Sequence, residues 1–504
     1  MERPNPSSPS ASCPVSRIVV VGAGVGGLAA AARLAAMGHD VTVCEQAEHV
    51  GGKLGAQTLG GYRFDTGPSV LTMPQVFAEL FAATGERLER VLDLVPVEPI
   101  ARYRFADGTW LDASGDLDTF CTTLDTELTP GSGGDWRAFH HHAAKIWGAV
   151  REPFLEQPIA GPADLARLAT RVRDIATIQP WRTLRDLGTH HLRDPRLQML
   201  LERYATYTGS DPRRAPAALA AIPYAEQAFG AWYVRGGLIR IADALAARAR
   251  ACGAQLRCGT AVTGIDLAGG RTSGVRLADG VHVPADAVVA NTDATHLYRD
   301  LVHDRRVARA RRRLARATAS LSGFVLLLGL EGRTPGLAHH TVLFPADYDA
   351  EFDAIFGSSP RPVDDPTIYV SAPDDPAVRP PDGESWFVLV NAPRQGPVDW
   401  DAPGRATDYA DHLLVRLAER GFDVRRRIVV REHLSPADLA RRTRAVGGAI
   451  YGTSSNGPRA AFLRPANRSP VPGLFLVGGS AHPGGGLPLV VLSARIVSDL
   501  IGAP

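Results

Sequence analysis

Residues Arg17 to Glu45 constrain this 504-residue chain more than any other stretch. Ile18-Val19-Val20-Val21 is a continuous β-branched run, the pattern of a parallel strand buried on both faces. Gly22-Ala23-Gly24-Val25-Gly26-Gly27 follows at once, and Leu28 to Met37 is a run of good helix formers closed by Gly38. Val41 to Cys44 reads as a second strand, with Glu45 at its end. Gly22 permits the tight turn out of the strand, Gly24 lets the backbone approach a pyrophosphate, and Gly27 lets the helix sit close to the sheet. Gly26 lies within the same loop, at the helix N-terminus, where free N–H groups and the positive dipole end favour phosphates. Glu45 is suited to accept from ribose hydroxyls and would repel a 2′-phosphate. Strand, glycine loop, helix, strand and acid together predict a dinucleotide-binding fold of the Rossmann type.

The glycine motif alone does not choose between dinucleotides. Gly51-Gly52-Lys53 comes soon after the acid, where Gly52 and Lys53 are candidates for the phosphates or a ribitol chain. Gly60-Gly61 marks a turn between short strands, returning the chain to the cofactor at Asp65-Thr66-Gly67-Pro68. At the far end, Leu474 to Val477 reads as a strand running into Gly478-Gly479-Ser480-Ala481-His482-Pro483-Gly484-Gly485-Gly486-Leu487-Pro488. A helix is expected from Leu489 to Ile501. Backbone amides around Gly479, Ser480, Gly486 and Leu487 are candidates to hold a flavin. A cofactor gripped by both ends of the chain fits the extended shape of FAD.

With these motifs in this order, the chain resembles the bacterial carotenoid desaturases. These are phytoene-desaturase-type relatives of the flavin amine oxidases. Asp65 to Met73, Arg203-Tyr204-Ala205-Thr206-Tyr207-Thr208-Gly209 and Gly447 to Gly452 make it most similar to the hydroxycarotenoid 3,4-desaturases (methoxyneurosporene dehydrogenases). It departs from the family's C-terminal stretch at Gly479, at Ser480-Ala481 and at Leu489, where the family commonly has Ala, Gly-Thr and Gly. The resemblance implies an α/β fold: a Rossmann-type FAD-binding domain of the amine oxidase superfamily with an inserted α+β substrate domain. It also implies FAD-dependent introduction of C=C bonds into an acyclic carotenoid, by hydride transfer to the flavin. By the same resemblance, Val262 falls on a middle strand that touches the adenine. His482 is the polar candidate beside the flavin, either reactive or anchoring its loop through the ring nitrogens. A flavin amine oxidase and a non-redox polyene isomerase are the competing functions.

The FAD domain is expected from 17–100, 232–300 and 468–504, and the substrate domain from 101–231 and 301–467. Residues 1–16, rich in Pro and Ser without an apolar run, read as a disordered leader. No stretch of about twenty uninterrupted apolar residues exists to cross a bilayer. Between Leu165 and Arg185, five arginines stand against one acid, with Leu165, Leu168, Val172, Ile175 and Ile178 at helical spacing before Pro180 and Trp181. Such a basic amphipathic helix suits either a protein core or anionic lipid. The latter would put the protein on the inner face of the cell membrane, where a polyene is dissolved. The five cysteines are scattered, as in a reducing cytosol. A net charge of +2 supplies no field for nucleic acid, and the arginine cluster Arg305 to Arg316 lacks interleaved aromatics. His140-His141-His142 and His190-His191 lack zinc-ligand spacing, so no metal site is expected.

Overall fold

The fold is that of a computed structural model, which describes residues 16–159, 164, 170–457, 460 and 464–504. The expected leader, apart from its last residue, lies outside the described residues, as do 165–169 of the basic segment.

Five parallel strands form the sheet that carries the glycine loop, in the order Leu474–Leu476, Ala287–Ala290, Arg17–Val21, Asp40–Cys44 and Gln255–Arg257. The alternation of the first strand divides two cores. Ile18 and Val20 face helices Val25–Ala36, Ile239–Ala251 and Leu487–Ile501, whereas Val19 and Val21 face the three-stranded antiparallel sheet Val262–Ala268, Arg271–Leu277 and His282–Pro284. Helix Val25–Ala36 is buried along nearly its whole circumference, leaving only Ala36 outside the interior. Its alanines permit this, because small side chains let helices approach on either side. Even Arg33 is buried, paired with Glu79.

A second, mostly antiparallel sheet has seven strands. Their order is Ile428–Leu434, Ser322–Glu331, Gly383–Ala392, Ile368–Ser371, His340–Leu343, Ala101–Arg104 and Trp110–Ala113. Its two long central strands pair over their full length, from Ser322 opposite Ala392 to Glu331 opposite Gly383. Their near-continuous apolar pattern follows from cover on both faces. Leu326, Leu328, Trp386 and Val388 pack with Leu413 and Leu417 of helix Arg405–Glu419. Val325, Leu327 and Phe387 pack with Tyr62 and Phe64 of the hairpin Ala56–Leu59/Tyr62–Asp65. That hairpin ties the second sheet to the segment that follows the glycine loop.

Boundaries depart from expectation where glycine or proline misleads. The first helix starts at Val25, not Leu28, and the last starts at Leu487, not Leu489, with Pro488 in its first turn. Low intrinsic propensity of Gly26 and Gly27 is overridden by packing, and Pro is well placed at a helix start because its missing N–H is not needed there. Of the basic amphipathic segment, the helix Val172–Ile178 buries none of its residues, and Gln179 ends it in the left-handed conformation. Among the described residues no helix is long and apolar enough to cross a membrane.

Candidate functional site

The first strand and the strand Ala287–Ala290 are neighbours, and their chains leave to opposite sides of the sheet. Ligands of open α/β sheets bind at such a switch point, outside the carboxyl ends of the strands. Here the crevice is built by Gly22 to Gly27. A Cβ at Gly27 would lie 2.2 Å from the Gly22 carbonyl oxygen, so only glycine allows this turn to close against the helix. Gly24 is the N-cap of the helix, no side chain caps it, and its first turn holds no acid. The first-turn amides therefore face the crevice with positive potential and no internal partner. A Cβ at Gly52 would come within 3.2 Å of the Gly24 Cα, which packs the second glycine pair onto the first loop.

The far end of the chain meets the same loop. A Cβ at Gly26 would lie 3.1 Å from the Gly478 Cα. Beyond Gly478, Gly486 is the N-cap of helix Leu487–Ile501, again without a side-chain cap or an acid in the first turn. Leu487 is buried. The Ser480 hydroxyl accepts from the Ala294 N–H at 2.9 Å, and the Gly479 carbonyl accepts from Arg464 Nη1 at 3.1 Å.

Glu45 is buried at the end of the second strand. Its Oε2 accepts from the Ala23 N–H at 2.7 Å and its Oε1 from the Ala47 N–H at 2.9 Å. The Thr260 N–H donates to the Glu45 carbonyl at 2.7 Å, so the strand beginning at half-buried Val262 starts close beside this carboxylate. Asp65 closes the hairpin by accepting from the Leu238 N–H at 2.7 Å at the start of helix Ile239–Ala251. Burial pushes its carboxyl up to about 6.

Lys53 points toward the loop Gly447 to Gly452. Its Nζ donates to the Ala449 carbonyl at 3.1 Å and to the Ile450 carbonyl. Burial lowers its ammonium pKa, Asp293 opposes that shift, and Arg464 adds to it. Arg464 is itself buried, donating to the Tyr451 carbonyl at 2.9 Å, and burial pushes its guanidinium down to about 10. His482 Nε2–H donates to the Gln157 carbonyl at 2.9 Å. The His482 carbonyl accepts from Asn467 Nδ2 and Ser493 Oγ, both at 2.8 Å. Burial pushes the His482 imidazole down to about 4.

Two residues central to this geometry were not singled out from sequence. Asn291 Nδ2 donates to the Gly22 carbonyl at 3.3 Å, and a Cβ at Gly478 would lie 2.5 Å from Asn291 Oδ1. The available signal was a polar residue directly after the buried run Ala287–Ala290, at the carboxyl end of a strand beside the glycine loop. Arg464 carried no local signal, because its partners lie 13 and 15 residues away on two different loops.

Uncapped helix ends, a buried carboxylate at the second strand and glycines where side chains would fill the crevice suit a dinucleotide. The joining of both chain ends there suits an extended one such as FAD. The family described as flavin containing amine oxidoreductase matches residues 25–502, and the chain belongs to that family, within its carotenoid-desaturase branch; its cofactor is FAD. It is 38% identical to hydroxyneurosporene desaturase of Rhodobacter capsulatus, over 96% of this chain and 98% of that one. To 4,4'-diapolycopene oxygenase of Methylomonas sp it is 35% identical, over 97% and 98%. To 1-hydroxycarotenoid 3,4-desaturase of Flavobacterium sp. it is 32% identical, over 97% and 99%. In fold it is similar to putrescine oxidase bound to putrescine, with a TM-score of 0.63 at 16% identity, covering 96% of this chain and 99% of that structure.

Proposed function

We propose that this protein desaturates an acyclic carotenoid, forming C=C bonds at the expense of bound FAD. The observation that carries this is the contact between the loops at Gly26 and Gly478, which builds one long cofactor crevice from both chain ends. Full-length similarity to carotenoid-modifying relatives supplies the substrate class.

FAD, when bound, supplies a two-electron acceptor for hydride. Amides at Gly24, Gly26 and Gly27 would hold the pyrophosphate, with Gly22, whose own N–H donates to the Cys44 carbonyl at 2.8 Å, shaping the turn; Glu45 would hold the adenosine ribose and Val262 would pack at the adenine. Gly52 and Lys53 line the middle of the crevice. Gly479, Ser480, Gly486 and Leu487 hold the flavin end. Residues 17–100, 232–300 and 468–504 serve the cofactor, and 101–231 with 301–467 shape an apolar tunnel that excludes water. His482 anchors its loop: its ring is neutral, buried and tied to Gln157, which leaves it poorly placed to move a proton. No strong base is required if the charge developing on the substrate is spread along the polyene.

Delivery of a lipid-soluble substrate fits a peripheral site on the inner face of the cell membrane. Val172 and Trp181 are 71% and 67% exposed, and Arg171, Arg173 and Arg182 lie among them. Aromatic and aliphatic side chains beside arginines suit an anionic lipid surface.

Anaerobic mixing of the FAD-loaded protein with an acyclic carotenoid tests the proposal. The expected result is loss of the flavin's visible absorbance and a product two hydrogens lighter. An isomer of unchanged mass with the flavin still oxidised would make it an isomerase. Bleaching by simple amines and not by carotenoids would make it an amine oxidase. A product that gains oxygen in air would shift it toward the oxygenase relatives.

A further inference from the structure

Two cations stand beside the flavin-end loop without an anion of their own. The carbonyls of Ala449, Ile450 and Tyr451 are consecutive, and all three accept from cationic side chains. The first two accept from Lys53 Nζ, at 3.1 Å for Ala449, and the third accepts from Arg464 Nη1 at 2.9 Å. Arg464 Nη1 also donates to the Gly479 carbonyl at 3.1 Å. Lys53 follows the second glycine pair and Gly479 lies in the last glycine loop, so the two side chains bolt one loop across both parts of the crevice. That loop is itself pressed against the flavin end. A Cβ at Gly452 would lie 3.0 Å from the Ser480 Cα, and a Cβ at Gly485 would lie 2.6 Å from the Tyr451 ring.

The charge in this cluster is unbalanced. Arg464 is buried, Lys53 is half-buried with a desolvated ammonium, and the two lie within electrostatic reach of each other. Neither makes an ion pair among the described residues, and the partners named above are neutral carbonyls. The acid that acts on Lys53 is Asp293, whose Oδ1 already accepts from the N–H groups of Thr295 and His296 at 2.9 and 3.4 Å. No carboxylate offsets the desolvation of Arg464, whose guanidinium, pushed down to about 10, still keeps its proton at neutral pH. A cation withdrawn from water without a counter-charge is costly, so the surplus calls for an anion. The cofactor's phosphates are assigned to the first glycine loop, where uncapped amides already face them. Hydride uptake creates another anion: a neutral flavin that gains a hydride gains one net negative charge.

We propose that Arg464 and Lys53 are positioning residues that tune the flavin electrostatically, their surplus positive charge favouring the reduced, negatively charged ring over the oxidised one. Charge near the ring is one of the levers by which a protein sets a flavin's electron affinity. At an effective dielectric constant of about 20, a unit charge shifts an equilibrium about tenfold from roughly 12 Å away, and more from nearer. The inference rests on the assignment of Gly479, Ser480, Gly486 and Leu487 to the flavin and deepens that reading.

The test uses the full-length, FAD-loaded protein and reads the midpoint potential of the bound flavin anaerobically, with FAD content measured alongside. Arg464→Gln keeps N–H donors and loses the charge. It is expected to weaken electron uptake about tenfold, a fall of about 30 mV for a two-electron couple. Arg464→Lys, which restores the charge, returns the potential toward the wild-type value, and Lys53→Gln lowers it as Arg464→Gln does. FAD content that drops while the remaining bound flavin keeps its wild-type potential would mean that these cations serve only the fold or the phosphates, which overturns the inference. A potential equally low in Arg464→Gln and Arg464→Lys would assign the effect to loop geometry and overturns it too. If Arg464→Gln does not fold, an unchanged potential in Lys53→Gln is decisive against the inference and a lowered one supports it. A wild type that binds no FAD overturns the flavin assignment together with the inference, whereas bound FAD with an unchanged potential in the variants spares that assignment.

Discussion

At Gly27 one methyl group decides whether the cofactor crevice can close. The Gly22 carbonyl oxygen occupies the space a Cβ would need, 2.2 Å away, and it belongs to the backbone of the turn itself. Gly27→Ala must therefore open the turn and move the amides that face the pyrophosphate. Its FAD content after purification is expected to fall at least about tenfold, the effect of losing one charge-assisted hydrogen bond or more. Flavin released on denaturation reads this directly, and wild-type content in the variant would contradict it. His482 gives a second residue-scale prediction. Its pKa in the folded protein, about 4, lies below the ordinary 6.5 because burial disfavours the imidazolium. The unfolded chain therefore takes up the proton first. The stability held by the neutral ring is full above pH 6.5 and is lost as pH falls toward 4, with a ceiling of roughly 3 kcal/mol. Thermal melts between pH 7 and pH 5 should fall more steeply for the wild type than for His482→Gln. Equal slopes would show that this ring does not titrate across unfolding.

Some helices are held by side-chain caps, whereas the two that open on the cofactor crevice have none. Helix Pro436–Thr443 has a complete capping box: Ser435 Oγ accepts from the Asp438 N–H at 3.3 Å, and Asp438 Oδ2 accepts from the Ser435 N–H at 2.8 Å. This helix carries Arg442, whose Nη2 donates to Thr66 Oγ1 at 3.1 Å near the cofactor crevice. Ser435→Ala is expected to cost about 1 kcal/mol, seen as a lower melting temperature. An unchanged melt would show that the box contributes nothing here. Helices Val25–Ala36 and Leu487–Ile501, by contrast, begin at glycines with no cap. The parallel strands were legible because burial on both faces leaves unbroken β-branched runs, as in Ile18 to Val21. The starts of these two helices were not, because packing overrides the poor helix propensity of Gly26 and Gly27, and Pro488 reads as a breaker although it sits in a first turn that tolerates it. The polar partners were the least legible. Lys53 reaches carbonyls 396 and 397 residues away, and Asn291 sits 269 residues from Gly22. Local periodicity holds no information about such pairings.

Across the whole molecule, the two chain ends complete one sheet and one crevice. Strands Arg17–Val21 and Leu474–Leu476 both flank Ala287–Ala290, and helices Val25–Ala36 and Leu487–Ile501 pack together below them. A ligand spanning both ends binds only the assembled fold, so it stabilises that fold by mass action, by about 4 kcal/mol at a thousandfold excess over its Kd. Protein stripped of FAD should melt well below the loaded form and recover on adding FAD. The most direct measurement is the FAD content of the purified, reconstituted full-length chain, quantified after denaturation. Close to one FAD released per chain is the predicted result; a colourless protein that releases none would contradict the assignment of both glycine loops to a single flavin.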